Sequence, residues 1–165
     1  MVKLSTKANK KAELKPALKQ IQNRRARFDY SILKTFEAGI ALVGSEVKSI
    51  YLGRGHLADA FCRISANEAF LENFDVEPYE HSHVFAHDRR RSRKLLLHRK
   101  EIEALESQGI EKGLSIIPLR VYFSHGKVKV EIAIARGKKL YDKRDKIAEE
   151  DANRSLQREL SDRES

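Results

Sequence analysis

Two segments around residue 125 alternate strictly between apolar and polar side chains, and this pattern limits the fold more than any other feature of the chain. The segments are residues 119–123 and 127–135, and Ser124-His125-Gly126 lies between them. A period of two residues is typical of strands that bury one face, and a short link containing glycine predicts a tight hairpin. The side chains predicted to share the buried face are Leu119, Val121 and Phe123 in the first strand and Val128, Val130, Ile132 and Ile134 in the second.

Weaker patterns earlier in the chain predict more short strands and two helices. The predicted strands are residues 28–40, 59–65 and 69–76, and the last two form a hairpin. The predicted helices are residues 44–52, with Ser45 as a candidate cap, and residues 99–108, followed by Gly109 at the C-cap position. This order of elements predicts a mainly β fold with short helices (α+β). We expect a closed or nearly closed barrel of the oligonucleotide-binding (OB) type, which binds nucleic acid on an exposed strand face and adjoining loops.

The charge of the chain restricts its partners. It carries 33 Lys and Arg against 24 Asp and Glu, a net charge of +9. Such an excess favours a polyanionic partner or an acidic membrane surface. A membrane is disfavoured because no apolar run approaches the ~20 residues that span a bilayer, and no apolar stretch follows the N-terminal lysines as in a signal peptide. We therefore expect a cytoplasmic nucleic-acid-binding protein that does not associate with membranes.

The positive charge is concentrated in three clusters, at residues 23–27, 89–94 and 136–146. Arginine suits nucleic-acid binding because its planar guanidinium binds phosphate through two hydrogen bonds and stacks on bases. Charge and periodicity together divide the chain into a flexible basic arm (residues 1–22), the barrel (23–136) and a tail (137–165). Because the apolar stripe of the tail is narrow, we expect the tail to be disordered when free and helical on a partner.

Other chemistries find little support in the sequence. Cys62 is the only cysteine, which excludes an internal disulfide and a cysteine-rich zinc module, and we expect it to be a small buried hydrophobe. His81, His83, His87 and His98 are candidate metal ligands, but they lack a recognised metal-site spacing. The motifs of phosphate-binding loops, zinc proteases and serine hydrolases are missing. We expect no catalytic residue, no metal and no cofactor.

Five blocks of the sequence, in order, resemble the motifs of a known family. They are NRRARFDY (23–30); TFEAGI (35–40) with GSEVKSI (44–50); RKLLLHRKEI (93–102); PL (118–119) with YF (122–123); and KVKVEIAIAR (127–136) with GKKLYDKR (137–144). The family is that of small protein B, the tmRNA-binding factor of bacterial ribosome rescue. The resemblance extends over about residues 20–146, and a chance match of five ordered blocks is improbable.

The resemblance implies an OB-type barrel of six antiparallel strands with three helices. It implies a monomer that binds the tRNA-like domain of tmRNA one to one and delivers it to ribosomes stalled on messages without a stop codon, performing no chemistry itself. The tail of such a protein senses the empty mRNA channel at the decoding centre. Charge alone leaves a broader alternative open, a general ribosome-associated or structured-RNA-binding protein of the same fold.

The resemblance, together with the outward lysines of the hairpin, selects two sets of candidate residues. The predicted RNA-binding residues are Asn23, Arg24, Arg25, Arg27, Glu46, Lys48, Lys127, Lys129, Arg136, Gly137, Lys138 and Lys139. The residues predicted to act on the ribosome are Tyr141, Asp142, Lys143, Arg144, Lys146, Arg154 and Arg158.

The chain departs from the family pattern at four places. Tyr51 stands where a basic residue is common, and Arg89 stands where relatives have proline. The loop at residues 79–86 reads YEHSHVFA, where relatives usually have glycine and asparagine. Beyond Lys146, relatives commonly carry further basic residues, whereas this chain continues with Ala148-Glu149-Glu150, which makes the distal tail more acidic.

Overall fold

The computed structural model describes residues 20–79, 88–109, 111, 113–139, 147 and 153–155. The strands are β1 (Ile21–Gln22), β2 (Tyr30–Ile40), β3 (Gly55–His56), β4 (Phe61–Ser65), β5 (Glu68–Glu72), β6 (Asp75–Val76), β7 (Arg93–Leu96), β8 (Leu114–Ser124) and β9 (Lys127–Gly137). The helices are α1 (Ala26–Asp29), α2 (Gly44–Tyr51) and α3 (Arg99–Gly109). The predicted fold class, mainly β with short helices, is confirmed. No helix among the described residues is long and apolar enough to cross a membrane.

Seven strands form one antiparallel sheet in the order β1-β8-β9-β2-β7-β5-β4, and β3 pairs with β6 separately. The terminal strand β4 also comes into contact with β8, so the sheet curls into a small, partly open barrel. The predicted six strands correspond to the longer ones, β2, β4, β5, β7, β8 and β9. The difference arises because the two-residue strand β1 adds to the edge of the main sheet, and the two-residue strands β3 and β6 form a separate pair. Pairing of Ile21 with Val121 and of Tyr30 with Gly137 carries the sheet slightly beyond both ends of the predicted range 23–136.

The long hairpin β8–β9 forms where the alternating pattern predicts it, with His125 and Gly126 in its turn. Both turn residues have positive φ, at 49° and 74°, as the favoured two-residue hairpin turn requires. The prediction that Leu119 shares a face with Val121 is wrong. The register shifts between Pro118 and Arg120, and a bulge of this kind moves the following side chains to the other face.

Two apolar clusters lie on opposite faces of the strands as a result. The main core fills the barrel and includes Val121, Val130 and Ile132, all fully buried. A smaller cluster lies outside β8 and β9, where α1 packs against the sheet. Its buried members are Ala26, Ile117, Leu119, Ala133 and Ala135. The free Cys62 thiol is buried in the main core, as expected, and this burial raises the pKa of the thiol.

The start of β2 and the cap of α2 differ from the prediction, although α2 begins at Gly44 as predicted. Residues 28 and 29, predicted as strand, belong to the short helix α1. This helix packs its buried residue Ala26 into the outer cluster. Helix α2 is not capped by Ser45. Instead, the Val43 backbone N–H donates to Glu46 Oε2 at 2.9 Å, so that the third helical residue caps the helix from inside.

Candidate nucleic-acid interface

Asn23 fixes the basic N-terminal cluster to the barrel. Its Nδ2 donates to the carbonyls of Leu57 at 3.2 Å and Pro118 at 3.1 Å, and its Oδ1 accepts from the Ala26 N–H at 3.2 Å. The Asn23 N–H itself donates to the Leu119 carbonyl at 2.8 Å. The amide side chain therefore holds three parts of the fold together and sets the direction in which the following arginines leave the sheet.

Two predicted parts of the interface, far apart in sequence, meet at α1. Arg24, Arg25 and Arg27 are exposed on or beside this helix. The strand β9 ends against β2, and the Lys138 backbone N–H then donates to the Asp29 carbonyl at 2.9 Å, while Lys138 Nζ donates to the Arg27 carbonyl at 3.3 Å. Arg136, Gly137 and Lys139 are exposed beside this junction. We call the set Arg24, Arg25, Arg27, Arg136, Lys138 and Lys139 the junction surface.

Glu46 lies at the centre of a buried ion network. Its side chain is 5% exposed, and that of Arg93 is 1% exposed. Arg93 Nε lies 3.0 Å from Glu46 Oε1, and Arg91 Nε lies 2.9 Å from the same oxygen. Burial alone would raise the pKa of the Glu46 carboxyl, but the hydrogen bonds from Arg91 and the Val43 N–H, with the charges of both arginines, hold it below its usual range. Both oxygens of Glu46 are thus committed to groups within the protein.

The cluster at residues 89–94 is partly neutralised by acids from other elements. Each of its five basic side chains has an acidic partner. The partners are Asp75 for Arg89 and Arg90, Glu46 for Arg91 and Arg93, and Glu68 for Lys94. This predicted source of positive field therefore contributes far less net charge than its sequence indicates, and most of its arginines fix β7 to its neighbours.

A second basic surface borders a groove that sequence patterns alone do not reveal. The groove, of about 450 Å³, lies between β2, α2, β7 and the hairpin turn. Leu96 is 56% exposed on one wall, and a side chain in place of Gly39 would meet the Leu96 Cβ at 3.2 Å. Lys127 is exposed and Lys129 half-buried on the opposite wall. The groove lining comprises Gly39, Ile40, Leu42, Val47, Leu96, Gly126, Lys127, Val128 and Lys129.

The strand face beside this groove carries a polar ladder. The Tyr122 hydroxyl donates to Glu37 Oε2, and Lys129 Nζ lies 3.1 Å from Glu37 Oε1. The hydrogen bond from Tyr122, followed by that from Lys129, lowers the pKa of Glu37. Burial and the bonded carboxylate raise the pKa of Tyr122 to about 12. Arg120 forms an ion pair with Glu131 one step along the ladder and lies 4.9 Å over the Tyr122 ring.

Lys48 lies on α2, on the side of the helix that faces Tyr79. Its Nζ is 5.2 Å from the centre of the Tyr79 ring, within the range of a cation–π interaction. Because the Lys48 side chain remains exposed, its charge faces solvent. The structure thus brings together the predicted residues of the junction surface, and it places Lys127 and Lys129 in the groove, whereas Lys48 lies on α2 next to the groove residue Val47 in sequence. Leu96 was missed because one exposed leucine inside an alternating strand gives no distinct sequence signal.

Most of the residues predicted to act on the ribosome lie outside the described part of the chain. These are Tyr141, Asp142, Lys143, Arg144, Lys146 and Arg158. Arg154 is described and is exposed, with helical backbone at residues 153–155. Of the candidate metal ligands, His81, His83 and His87 also lie outside the described residues, and His98 is exposed just before α3. Within the described residues, no three His, Cys, Asp or Glu side chains cluster in a way that could hold a metal ion.

The chain is similar to known proteins over most of its length. The model of the SmpB protein family matches residues 20–162. An SsrA-binding protein of Desulforudis audaxviator is 54% identical over 137 residues, which cover 83% of this chain and 90% of the relative. An SsrA-binding protein of Mycobacterium leprae is 50% identical over 141 residues, covering 86% of this chain and 88% of the relative.

A solved structure shares the fold as well as the sequence. One of its chains, from work described as "tmRNA-SmpB: a journey to the center of the bacterial ribosome", superposes with a TM-score of 0.64 at 47% identity. The match covers 73% of this chain and 85% of that chain. The ordered motifs, the curled sheet and the extent of these matches lead to one conclusion: the chain belongs to the SmpB protein family.

Proposed function

We propose that this protein binds tmRNA and brings it to stalled ribosomes in trans-translation. The observation that carries the proposal is the junction surface, where α1 and the end of β9 place two basic segments, more than 100 residues apart in sequence, side by side. Membership of a family whose relatives are named SsrA-binding proteins supports this RNA as the ligand. A relative in a tmRNA-SmpB structure of the bacterial ribosome supports the second partner.

The barrel offers two surfaces to such an RNA. On the groove side, Lys127 supplies positive charge in the groove that Leu96 lines, and Lys48 adds charge on the neighbouring helix α2. Phosphates can bind these lysines, and an unpaired base can pack on the apolar lining. On the other side, Arg24, Arg25 and Arg27 with Arg136 and Lys139 form a field strong enough to hold backbone phosphates. Glu46 and Asn23 support these surfaces from below, since their polar atoms already hold Arg91, Arg93 and the α1 loop in place.

The remaining assignments extend the proposal along the chain. Residues 1–22 act as a flexible basic arm, residues 23–136 as the RNA-binding barrel, and residues 137–165 as the tail that enters the mRNA channel. Within the tail, Tyr141 to Lys146 and the arginines Arg154 and Arg158 act at the decoding centre and along the channel. The protein acts in the cytoplasm as a monomer, one copy per tmRNA, and contributes positioning and charge rather than a chemical step.

The proposal is tested by competition between tmRNA and bulk tRNA for the full-length protein. We expect tmRNA to displace tRNA at much lower concentration. Only an RNA whose shape reaches both basic surfaces at once gains the contacts of both. Affinity should fall with salt with a log–log slope of about −0.7 to −0.9 per phosphate neutralised. Equal affinity for the two RNAs would favour the broader alternative, a general structured-RNA-binding protein of the ribosome.

A further inference from the structure

Tyr51, the last residue of α2, presents an aromatic ring to solvent at a fixed position. Its side chain is 50% exposed. The ring lies edge-on to Phe123 of β8, with 5.8 Å between the ring centres and 78° between the ring planes. Such edge-to-face pairs are favourable beyond the area they bury, so Phe123 restrains the orientation of Tyr51 without covering it.

This ring continues the apolar floor of the groove described above. Val47 lies one helical turn before Tyr51, on the same side of α2, and Val47 lines the groove. Phe123 pairs across the hairpin with Val128, which lines the groove from the other side. An apolar strip therefore runs from Leu96 through Val47 to the Tyr51–Phe123 pair.

Positive charges border the strip on two sides. Lys127 is exposed at the hairpin end of the groove. Lys48 lies three residues before Tyr51 on α2, a spacing that makes the two side chains neighbours on the helix surface. An exposed ring beside cations is the arrangement with which proteins bind unpaired bases, because the ring stacks on the base while the cations hold the flanking phosphates. An acidic peptide could form ion pairs with the lysines, but it has no base to stack on the restrained Tyr51 ring.

We propose that Tyr51 is a base-stacking residue that takes an unpaired base of the bound RNA, with Lys48 and Lys127 on the adjoining phosphates. The inference rests on the proposed function, since it assumes an RNA in the groove. Tyr51 stands where the family commonly has a basic residue, so stacking here replaces a charge contact with a ring contact. The RNA feature that it recognises is a loop or bulge rather than a continuous duplex.

The sequence contains no tryptophan, which gives a direct optical test in the full-length protein. Tyr51→Trp places a single indole at the proposed stacking position, and Phe70→Trp places one at a half-buried aromatic position of β5 that lines neither this groove nor the pocket beside α1. Titration with tmRNA should quench the fluorescence of Tyr51→Trp and leave that of Phe70→Trp nearly unchanged. An RNA duplex without unpaired bases should quench neither. Equal responses of the two variants to tmRNA would overturn the proposal.

Affinity measurements give a second test. Loss of one stacked base costs ~1–3 kcal/mol, so Tyr51→Ala should weaken tmRNA binding about tenfold, while Tyr51→Phe, which keeps the ring, binds as the original chain does. Phe70→Ala is the matched control, because Phe70 lies on β5 outside both proposed RNA-binding surfaces, and it should not change affinity. If Tyr51→Ala binds tmRNA with full affinity, the stacking role is wrong although the proposed function stands. If the unaltered protein fails to prefer tmRNA over tRNA, the proposed function itself is wrong.

Discussion

Arg93 is the largest fully buried side chain among the described residues. Its guanidinium donates to the carbonyls of Phe74, Arg91 and Arg89 at 2.6, 3.0 and 3.0 Å, in addition to its two contacts with Glu46. A buried charge is tolerated only when it is both paired and hydrogen-bonded. Burial lowers the pKa of Arg93, and the charge of Glu46 opposes that shift. The Glu46 carboxylate therefore compensates the buried charge of Arg93 and so stabilises the packing of β7.

Removing this carboxylate should destabilise the protein strongly. Glu46→Ala leaves Arg93 buried without a counter-charge, and such a loss costs about 3–5 kcal/mol. Urea unfolding measures the change. Glu103→Ala is the matched control, because Glu103 pairs with Arg99 at the exposed surface of α3, where an ion pair contributes ~0–1 kcal/mol. Similar losses in the two variants would contradict the structural role assigned to Glu46.

The same pair predicts how stability depends on pH. The folded state lowers the pKa of Glu46, so the stabilisation is complete above the unfolded-state value of about 4.3 and is lost as pH falls through the lower folded-state pKa. Glu46→Gln should lose most of this dependence below about pH 4.3, because the amide does not titrate in this range. Unfolding free energies measured from pH 3 to pH 7 for both proteins test this; parallel curves would show that other carboxyls dominate.

At the scale of elements, the hairpin β8–β9 is both the frame of the barrel and a support of the groove. Its turn places Lys127 directly at the groove wall. Gly126 has φ of 74°, a left-handed conformation that other L-residues adopt only at a cost. The hairpin was the feature best predicted from sequence, because strand alternation and turn geometry are both local properties.

Turn chemistry therefore predicts opposite effects at two adjacent residues. Gly126→Ala should lower the free energy of unfolding by about 1–2 kcal/mol, the cost of a left-handed backbone with a Cβ. His125→Asn should leave stability unchanged or raise it slightly, since asparagine before glycine suits this turn. Thermal unfolding compares the two variants with the original chain. A loss on His125→Asn as large as that on Gly126→Ala would be inconsistent with the turn described.

At the scale of the whole molecule, we propose that the barrel binds the RNA and that the tail contacts the ribosome. The Lys138 N–H bond to Asp29 and the pairing of Gly137 with Tyr30 complete the junction surface. A chain ending after Lys139 keeps these contacts and should fold and bind tmRNA with the affinity of the full-length protein. Its rescue of stalled ribosomes should fall to the level measured without protein, because residues 141–158 supply the proposed contacts to the ribosome.

Peptide tagging on a message without a stop codon measures rescue, and filter binding measures affinity. Retained rescue by the shortened chain would contradict the role of the tail. Lost RNA affinity would show that the tail, not the barrel, binds tmRNA.

A single substitution within the barrel tests one phosphate contact. Lys127→Ala should reduce the slope of log affinity against log salt concentration by about one phosphate contact. Lys100→Ala, at an exposed position of α3, is the control and should leave this slope unchanged.

Local chemistry determined much of this protein from the sequence alone. The strand alternation of residues 127–135, the helix at residues 99–109 and the net positive charge depend on neighbouring residues and on composition, and each is visible in the chain itself. The ordered motifs identified the family for the same reason.

Only the tertiary structure decided which charges remain available to a partner. Most of the charge of the basic run at residues 89–94 is offset by Asp75, Glu46 and Glu68, which reach it from other strands and from α2. Leu119 lies on the face opposite to the predicted one because the register of β8 shifts at a bulge. Leu96 forms a wall of the groove because it lies against Gly39 on the adjacent strand. Pairing between distant segments is set by how the sheet closes, and a period read along one strand carries no information about closure.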